Sequence, residues 1–533
     1  MFVTNSEIVD GPRAGRREWL GLAVIALPCL LYSMDFTVLH LAVPHLSAAL
    51  EPSSTQLLWI VDIYGFLLSG ALLTMGVLGD RIGRRKLLLA GAVVFGAASV
   101  LAAFADSPGT LIAARALLGL AGATLAPSTL SLIRTMFLDA AQRTVAIGVW
   151  VASFAAGGAI GPLVGGLLLD HFWWGSVFLV AVPPMVLLLV LGPLVLPEYR
   201  NPDAGRIDIP SAALSLVGVL AVIYGIKQYA QGSGSWTAPA AVVLGVAAGS
   251  VFVRRQRHLA DPFIDLELFR ARAFSTMLAL NTMAFFLGFA SFFFMTQYLQ
   301  LVLGLDPLEA GLWTLPWAAA QVGGSLLTPV LVRRMRPGTV VAVGLLVAAA
   351  GFAVITPIGG RDDLWLVVAG SVLFSLGLIQ VITLAADLMV GSVPPERAGV
   401  ASGLNETSAD FGGALGIAVL GSVATAVYRT RVGDTSPAGI PAPVSEVARD
   451  TLGGALEAAR ELPAAAASAL EAASRAAFTD AASLVFWLCW LLALAAAVCA
   501  LWGLRGDGTA AAAGPEAVEP EAASGLAAQG ARS

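Results

Sequence analysis

Charge is scarce in this chain. Of 533 residues only 12% are Asp, Glu, Lys or Arg, where a water-soluble domain carries about a quarter. A hydrophobic content of 58% and a mean hydropathy of +0.83 complete the exclusion of a soluble globule. Cysteine is nearly absent as well. Cys29, Cys489 and Cys499 each fall inside an apolar run with no C-x-x-C and no paired spacing, so neither a disulfide framework nor a metal site is indicated. There are four histidines, and His40 and His45 read as interfacial. No nucleophile triad, metal cluster, phosphate loop or soluble catalytic domain is present, so a transporter is expected before a membrane enzyme or sensor. No cofactor and no nucleic-acid partner are expected.

What is present is apolar sequence in runs of roughly 20 residues, each long enough to cross a hydrocarbon core about 30 Å thick. Fourteen such runs recur between Leu20 and Leu501. The chain therefore reads as an all-α polytopic membrane protein. Basic residues gather in Arg81 to Lys86, Arg254 to Arg272 and Arg333 to Arg336, whereas the short loops of the other side hold only Lys227 and Arg361. Lys and Arg near span ends are retained in the cytoplasm, which predicts both termini inside.

Two polar stretches divide the runs. Residues 1–196 form a first six-helix half, 197–273 two extra central helices with their linkers, and 274–505 a second six-helix half. A long outer loop, 428–477, belongs to that second half and is expected to form a short helical hairpin over the outer mouth, broken by Pro463. Residues 506–533, rich in Ala, Gly, Pro and Glu, are expected to be a disordered cytoplasmic tail. Gln142-Arg143 opens the fifth helix of the first half and Glu396-Arg397 the fifth of the second. Parallel repeats of this kind are a transporter signature.

Against this apolar background four carboxylates stand out: Asp35, Asp62, Glu406 and Asp410. A charge at such depth costs at least about 2.5 kcal/mol and marks a functional site by default. Arg115 lies roughly 9 Å below the outer edge of its span, at the level of Asp62, and Asp35 about 24 Å from the inner end of its own, again in the outer half. These three ionisable groups can share a polar cavity, although Asp62 also reads as a helix cap and Arg115 as a static partner of Asp35. Glu406 and Asp410 are four apart, hence on one helical face, about 12 and 18 Å from the inner end. Like charges one turn apart oppose ionising together, which suits a site where proton and cation compete. Asp387 reads as an interfacial charge.

Two further motifs concern motion. Gly79-Asp80-Arg81-Ile82-Gly83-Arg84 allows a tight turn, with Asp80 placed to pair with Arg84 or with a neighbouring helix terminus. Gly157-Gly158-Ala159-Ile160-Gly161-Pro162 removes a backbone donor and offers a smooth packing face. Trp59, Tyr64, Trp150, Phe154, Phe285, Phe286, Phe289 and Trp317 are candidates to line an aromatic cavity for a flat cation.

These features together resemble the fourteen-helix drug:proton antiporter branch of the major facilitator superfamily. The likeness rests on Met34-Asp35-Phe36-Thr37, on Gln56 to Tyr64, on Ala126-Pro127 to Arg134, on Gly161-Pro162, and on Asn405-Glu406-Thr407 with Asp410. It implies a major facilitator fold and a proton-coupled multidrug efflux antiporter of the bacterial cytoplasmic membrane. Its implied substrates are lipophilic cations such as quaternary ammonium antiseptics and intercalating dyes, and its implied energy source is the proton gradient. Asp35, Asp62, Glu406 and Asp410 would recognise drug and proton, with Arg115 tuning the outer cluster. Asp80 and Arg84 would latch one conformation, and Gly161-Pro162 would supply a bend. A lipid-embedded monomer is expected. The export of one natural product or antibiotic made by the host is the alternative reading. Two departures from the family pattern matter: Ala310 to Val332 contains no acidic residue and offers only Gln321, and Arg333 to Pro337 is a degraded copy of the Gly79 to Lys86 loop.

Overall fold

The computed structural model describes residues 12–504 except 53, 201–207, 231–235, 260, 261, 263, 265, 360–362, 394–397 and 436–439, with some helical positions described by backbone alone. The expected tail and the Glu396-Arg397 repeat lie outside the described residues.

Seventeen α-helices follow one another among the described residues. The first half contains α1 (Arg16–Leu50), α2 (Ser54–Ile82), α3 (Arg84–Ala103), α4 (Pro108–Met136), α5 (Ala140–His171), α6 (Ser176–Leu179) and α7 (Val182–Val195). The extra pair is α8 (Ile209–Ala230) and α9 (Thr237–Gln256). The second half contains α10 (Arg272–Gln297), α11 (Pro307–Val332), α12 (Pro337–Ile355), α13 (Leu364–Gly391), α14 (Ala398–Thr435), α15 (Ala442–Asp450), α16 (Leu452–Ala459) and α17 (Ala464–Gly503). Counting α6 with α7 as one crossing, fourteen segments are long and apolar enough to span a membrane.

Local sequence sets several starts. Ser107 caps α4 through the Thr110 amide at 3.3 Å, Asp139 caps α5 through Gln142 at 2.7 Å, and Asp306 caps α11 through Glu309 at 2.8 Å. Each side-chain oxygen satisfies one of the donors that a helix start leaves orphaned.

At 1.5 Å per residue, α14 with 38 residues and α17 with 40 reach about 57 and 60 Å, roughly twice the hydrocarbon thickness. Their ends project from the bundle and carry α15 and α16 between them. There Ala448, Ala455, Ala459 and Leu470 make a small separate core, and the Tyr428 hydroxyl donates to the Ala448 carbonyl at 2.9 Å. The segment 428–477 is thus mostly helix, and the chain breaks at Pro463, between the end of α16 at Ala459 and the start of α17 at Ala464.

The larger core of the first half runs without interruption into Ile379, Ala386, Val390 and Val393 of the α13 segment and Ala398 and Ala401 of α14. A second core fills α10 to α17. The two halves are therefore fused by apolar packing at one end of the bundle, the end where Arg84 and Arg333 also lie; we call it the basic end.

Candidate functional site

Three polar assemblies lie along the bundle. The first pins α1, α2 and α4 together in the part of the bundle away from the basic end. Arg115 of α4, 1% exposed, donates from Nη1 to Asp35 Oδ2 of α1 at 2.6 Å and from Nε to the Ile60 carbonyl of α2 at 3.3 Å. Its guanidinium carbon stands 4.5 Å from the centroid of the buried Tyr64 ring, a cation–π contact. Asp35 and Arg115 are brought together as an ion pair. Asp62 belongs to α2, two residues after Ile60, but its side chain lies outside the described residues.

The second assembly sits where α14 meets α10 and α2. Glu406 accepts from the Asn405 amide at 3.0 Å, and Asp410 accepts from the Ser69 hydroxyl of α2 at 2.6 Å. Each of these donors is neutral, and through Ser69 the Asp410 carboxylate reaches across the two halves. Asn281 of α10, fully buried, donates to the Asn405 carbonyl at 3.2 Å and to Ser408 Oγ at 2.9 Å. Asn281 Oδ1, Asn405 Oδ1 and Thr407 Oγ1 are buried without a hydrogen-bond partner among the described residues. Orphaned acceptors of this kind are uncommon in interiors and point to groups that a transported species or its water can use.

The third assembly closes the basic end. Gly83 takes φ +113°, a conformation that side chains disfavour, and turns α2 into α3 so that Asp80 and Arg84 pair at 2.8 Å. Arg84 also donates to the Ser131 carbonyl at 3.1 Å. Asp80 meanwhile accepts from the amides of Gly399 at 3.0 Å and Val400 at 3.3 Å. It thereby caps α14 from the other half and places a negative charge at the positive end of that helix. The approach requires glycine: a Cβ on Gly76 would lie 2.3 Å from the Gly399 carbonyl oxygen. Beside it, Asp387 of α13 accepts from Arg143 Nε at 2.9 Å and from Thr144 Oγ1 at 2.5 Å, both on α5. Asp387, read from sequence as interfacial, is buried and holds the halves together.

The remaining residues are spread more widely. A Cβ on Gly157 would lie 2.1 Å from the Leu30 carbonyl oxygen, so the glycine face of α5 lies directly on α1. Gly79 is buried against Leu87 and Gly161 is buried within α5, while the Pro162 side chain lies outside the described residues. Phe154 packs edge-on against Tyr32 at 5.4 Å and Trp150 at 4.8 Å. Trp59 turns instead toward Phe66, which leads on to Tyr224 of α8. Phe285 and Phe289 pair at 5.9 Å on α10, and Trp317 lies 4.5 Å from Phe292. Separate aromatic groups thus lie in each half.

Sequence reasoning missed Asn281, Ser69 and the Arg143–Asp387 pair. A lone Asn in the apolar stretch Leu278-Ala279-Leu280-Asn281 was a usable signal; a serine in a span was not.

Residues 25–417 match the family model of the Major Facilitator Superfamily. The chain is 43% identical over 486 residues to the multidrug efflux pump LfrA of Mycolicibacterium smegmatis, covering 91% of this chain and 96% of that protein. It is 34% identical to the methyl viologen resistance protein SmvA of Salmonella typhimurium, covering 87% and 93%. The fold is similar to that of the human organic anion transporter MFSD10, with a TM-score of 0.58 at 16% identity, covering 89% of this chain and 99% of that one. The fourteen crossings, the cross-half packing and these likenesses make the chain a member of the major facilitator superfamily, a multi-pass membrane transporter and not an enzyme.

Proposed function

We propose that this transporter exports lipophilic cations in exchange for protons by alternating access. One observation carries the reading: Glu406 and Asp410 occupy one face of α14, held by the neutral donors Asn405 and Ser69, and Ser69 belongs to the opposite half. A carboxylate that accepts from a neutral donor can pass between a proton and a cation by exchanging that hydrogen bond. Because Asp410 spans the interface, such an exchange alters the contact on which opening and closing depends. The activities for which two relatives are named, multidrug efflux and methyl viologen resistance, support drug export as the task.

The direction follows from charge. Positive loops stay in the cytoplasm, so the basic end, closed by Asp80 and Asp387, is the cytoplasmic one, and the arrangement described is closed on that side. Drug enters after both latches part; quaternary ammonium antiseptics and intercalating dyes fit the carboxylates and the aromatic groups of α1, α5 and α10. Asp35 and Asp62 receive the cation, and Glu406 and Asp410 couple its release to protonation. The transporter works as a monomer in the bacterial cytoplasmic membrane.

Ethidium transport into everted vesicles tests this. Uptake is expected to collapse when an uncoupler removes the proton gradient, and Glu406→Gln is expected to abolish gradient-driven uptake. If Asp35→Asn and Glu406→Gln both transport at the native rate, the assignment fails.

A further inference from the structure

The helices α8 and α9 take no part in the three assemblies, yet they are not idle packing. Phe252 of α9 and Ile264 join Leu73 and Val77 of α2 and Val400 of α14 in one apolar cluster, with Leu214 of α8 packed against it. The pair therefore lies across both halves, beside the contact between Asp80 and α14.

At the basic end of this pair is a groove of about 440 Å³, lined by Leu214, Val251, Arg254, Arg255, His258 and Leu259. Its charges are not equivalent. Arg255 is held by Asp208 through two bonds of 2.8 and 3.0 Å, and Asp208 is fixed in turn by Ser211 at 2.6 Å. Arg254 in the last turn of α9 and His258 in the turn just beyond its end, both exposed, have no hydrogen bond or carboxylate partner among the described residues. Among the described residues the groove thus presents one guanidinium and one imidazole without a carboxylate partner, at the basic end of the span formed by α9. Its other wall is apolar: Val251 is 51% exposed, and Val243, Leu244 and Val246 continue an exposed apolar face along α9.

We propose that this groove binds the phosphodiester headgroup of an anionic membrane phospholipid. The phosphate takes the Arg254 guanidinium and a ring N–H of His258, and an acyl chain lies along Val251 and the outer face of α9. A basic pocket at a span end on the cytoplasmic side attracts such headgroups, and a guanidinium matches phosphate oxygens in its fork geometry. The apolar wall distinguishes a lipid from free phosphate, and the positive charges exclude a cationic drug. Since α8 touches α2 and α14 together, a lipid seated here also holds the pair against the closed basic end.

The test is native mass spectrometry of the full-length transporter released from nanodiscs of equimolar phosphatidylglycerol and phosphatidylcholine with matched chains. The native protein is expected to retain phosphatidylglycerol in an excess of about fivefold, equivalent to about 1 kcal/mol. Arg254→Gln with His258→Gln should bring the excess close to unity, whereas Arg333→Gln with Arg334→Gln, exposed arginines elsewhere on the same end, should leave it. Leu214→Trp, which fills the groove and keeps its charges, should also lower it. The proposal is overturned if the excess survives in the Arg254/His258 variant, if both arginine variants lose it equally, or if inorganic phosphate displaces the lipid and binds in its place.

Discussion

Two pairs of charged residues inside the membrane meet the same energetic problem in opposite ways. In the first half Asp35 is joined to Arg115 at 2.6 Å, and the guanidinium is further bound to Ile60 and stacked on Tyr64. In the second half Glu406 and Asp410 lie a turn apart and take their hydrogen bonds from Asn405 and Ser69. The first arrangement neutralises a charge and ties three helices; the second sets two acids on one face beside neutral donors. Removing one member of a buried ion pair strands the other, whereas replacing an acid beside a neutral donor by its amide removes a charge whose burial was itself costly. The comparison therefore separates, by the effect of mutation on stability, a cation-receiving carboxylate that also ties helices together from a pair whose work is exchange.

The largest effect is expected at Arg115. Arg115→Gln strands Asp35 in its apolar surroundings and should destabilise the purified transporter by about 3–5 kcal/mol, read as a lower midpoint of thermal unfolding. Asp35→Asn in the same background should restore much of that loss, because the stranded charge is gone. A native midpoint for Arg115→Gln alone would mean that the pair does not hold the first half together.

Glu406→Gln should do the reverse. Its stability should change by less than about 1 kcal/mol, since the amide still accepts from Asn405, while proton-driven ethidium transport is lost. A destabilisation as large as that of Arg115→Gln would erase the distinction between the two pairs.

A third expected effect is conformational. Asp80→Ala removes the cap that the first half supplies to α14 and should cost the closed basic end about 1–2 kcal/mol. In a Cys499→Ser background, a cysteine placed at Ser402, buried and 3.3 Å from Ser131, should then react faster with an impermeant thiol reagent on the basic side. Unchanged labelling would show that the apolar core continuing into Val390 and Ala401 closes this end without Asp80.

How much of this was legible in the sequence follows the cost of each feature. Asp35, Arg115, Glu406 and Asp410 were visible because an ionised group in an apolar span is expensive and rare. Gly79 to Arg84 was visible as a pattern. Asn281, Ser69 and Thr144 were not singled out, since a hydroxyl or amide in a span costs far less and occurs for many reasons. The Arg143–Asp387 bond joins residues 244 apart; no periodicity links two such positions, and only the closure of one half on the other brings them together. The long projections of α14 and α17 were missed because hydropathy marks where a span leaves the membrane, whereas the helix continues as long as its residues favour it, and Ala464 to Ala467 do so strongly. The aromatic residues failed differently: each is unremarkable alone, and their grouping into separate sets depends on helix rotation.

The smallest effect concerns a charge pair at the periphery, which extends the comparison to a solvated site. Asp208 and Arg255 join the start of α8 to the end of α9, and Arg255 is 40% exposed. The Arg255 guanidinium holds the Asp208 carboxyl below the usual carboxylate range, and the Ser211 hydroxyl adds to this. A carboxyl so lowered contributes stability above its ordinary range, and that contribution is lost only as pH falls through its folded value. Mild acidification from neutrality should therefore leave the pair intact. Arg255→Gln should remove it at all pH values, but water screens an exposed pair, so the loss should appear as faster hydrogen exchange in the first turn of α8 with no change in global unfolding. A global shift as large as that of Arg115→Gln would mean that burial does not grade these pairs, and that α8 and α9 brace the two halves more firmly than their exposed position suggests.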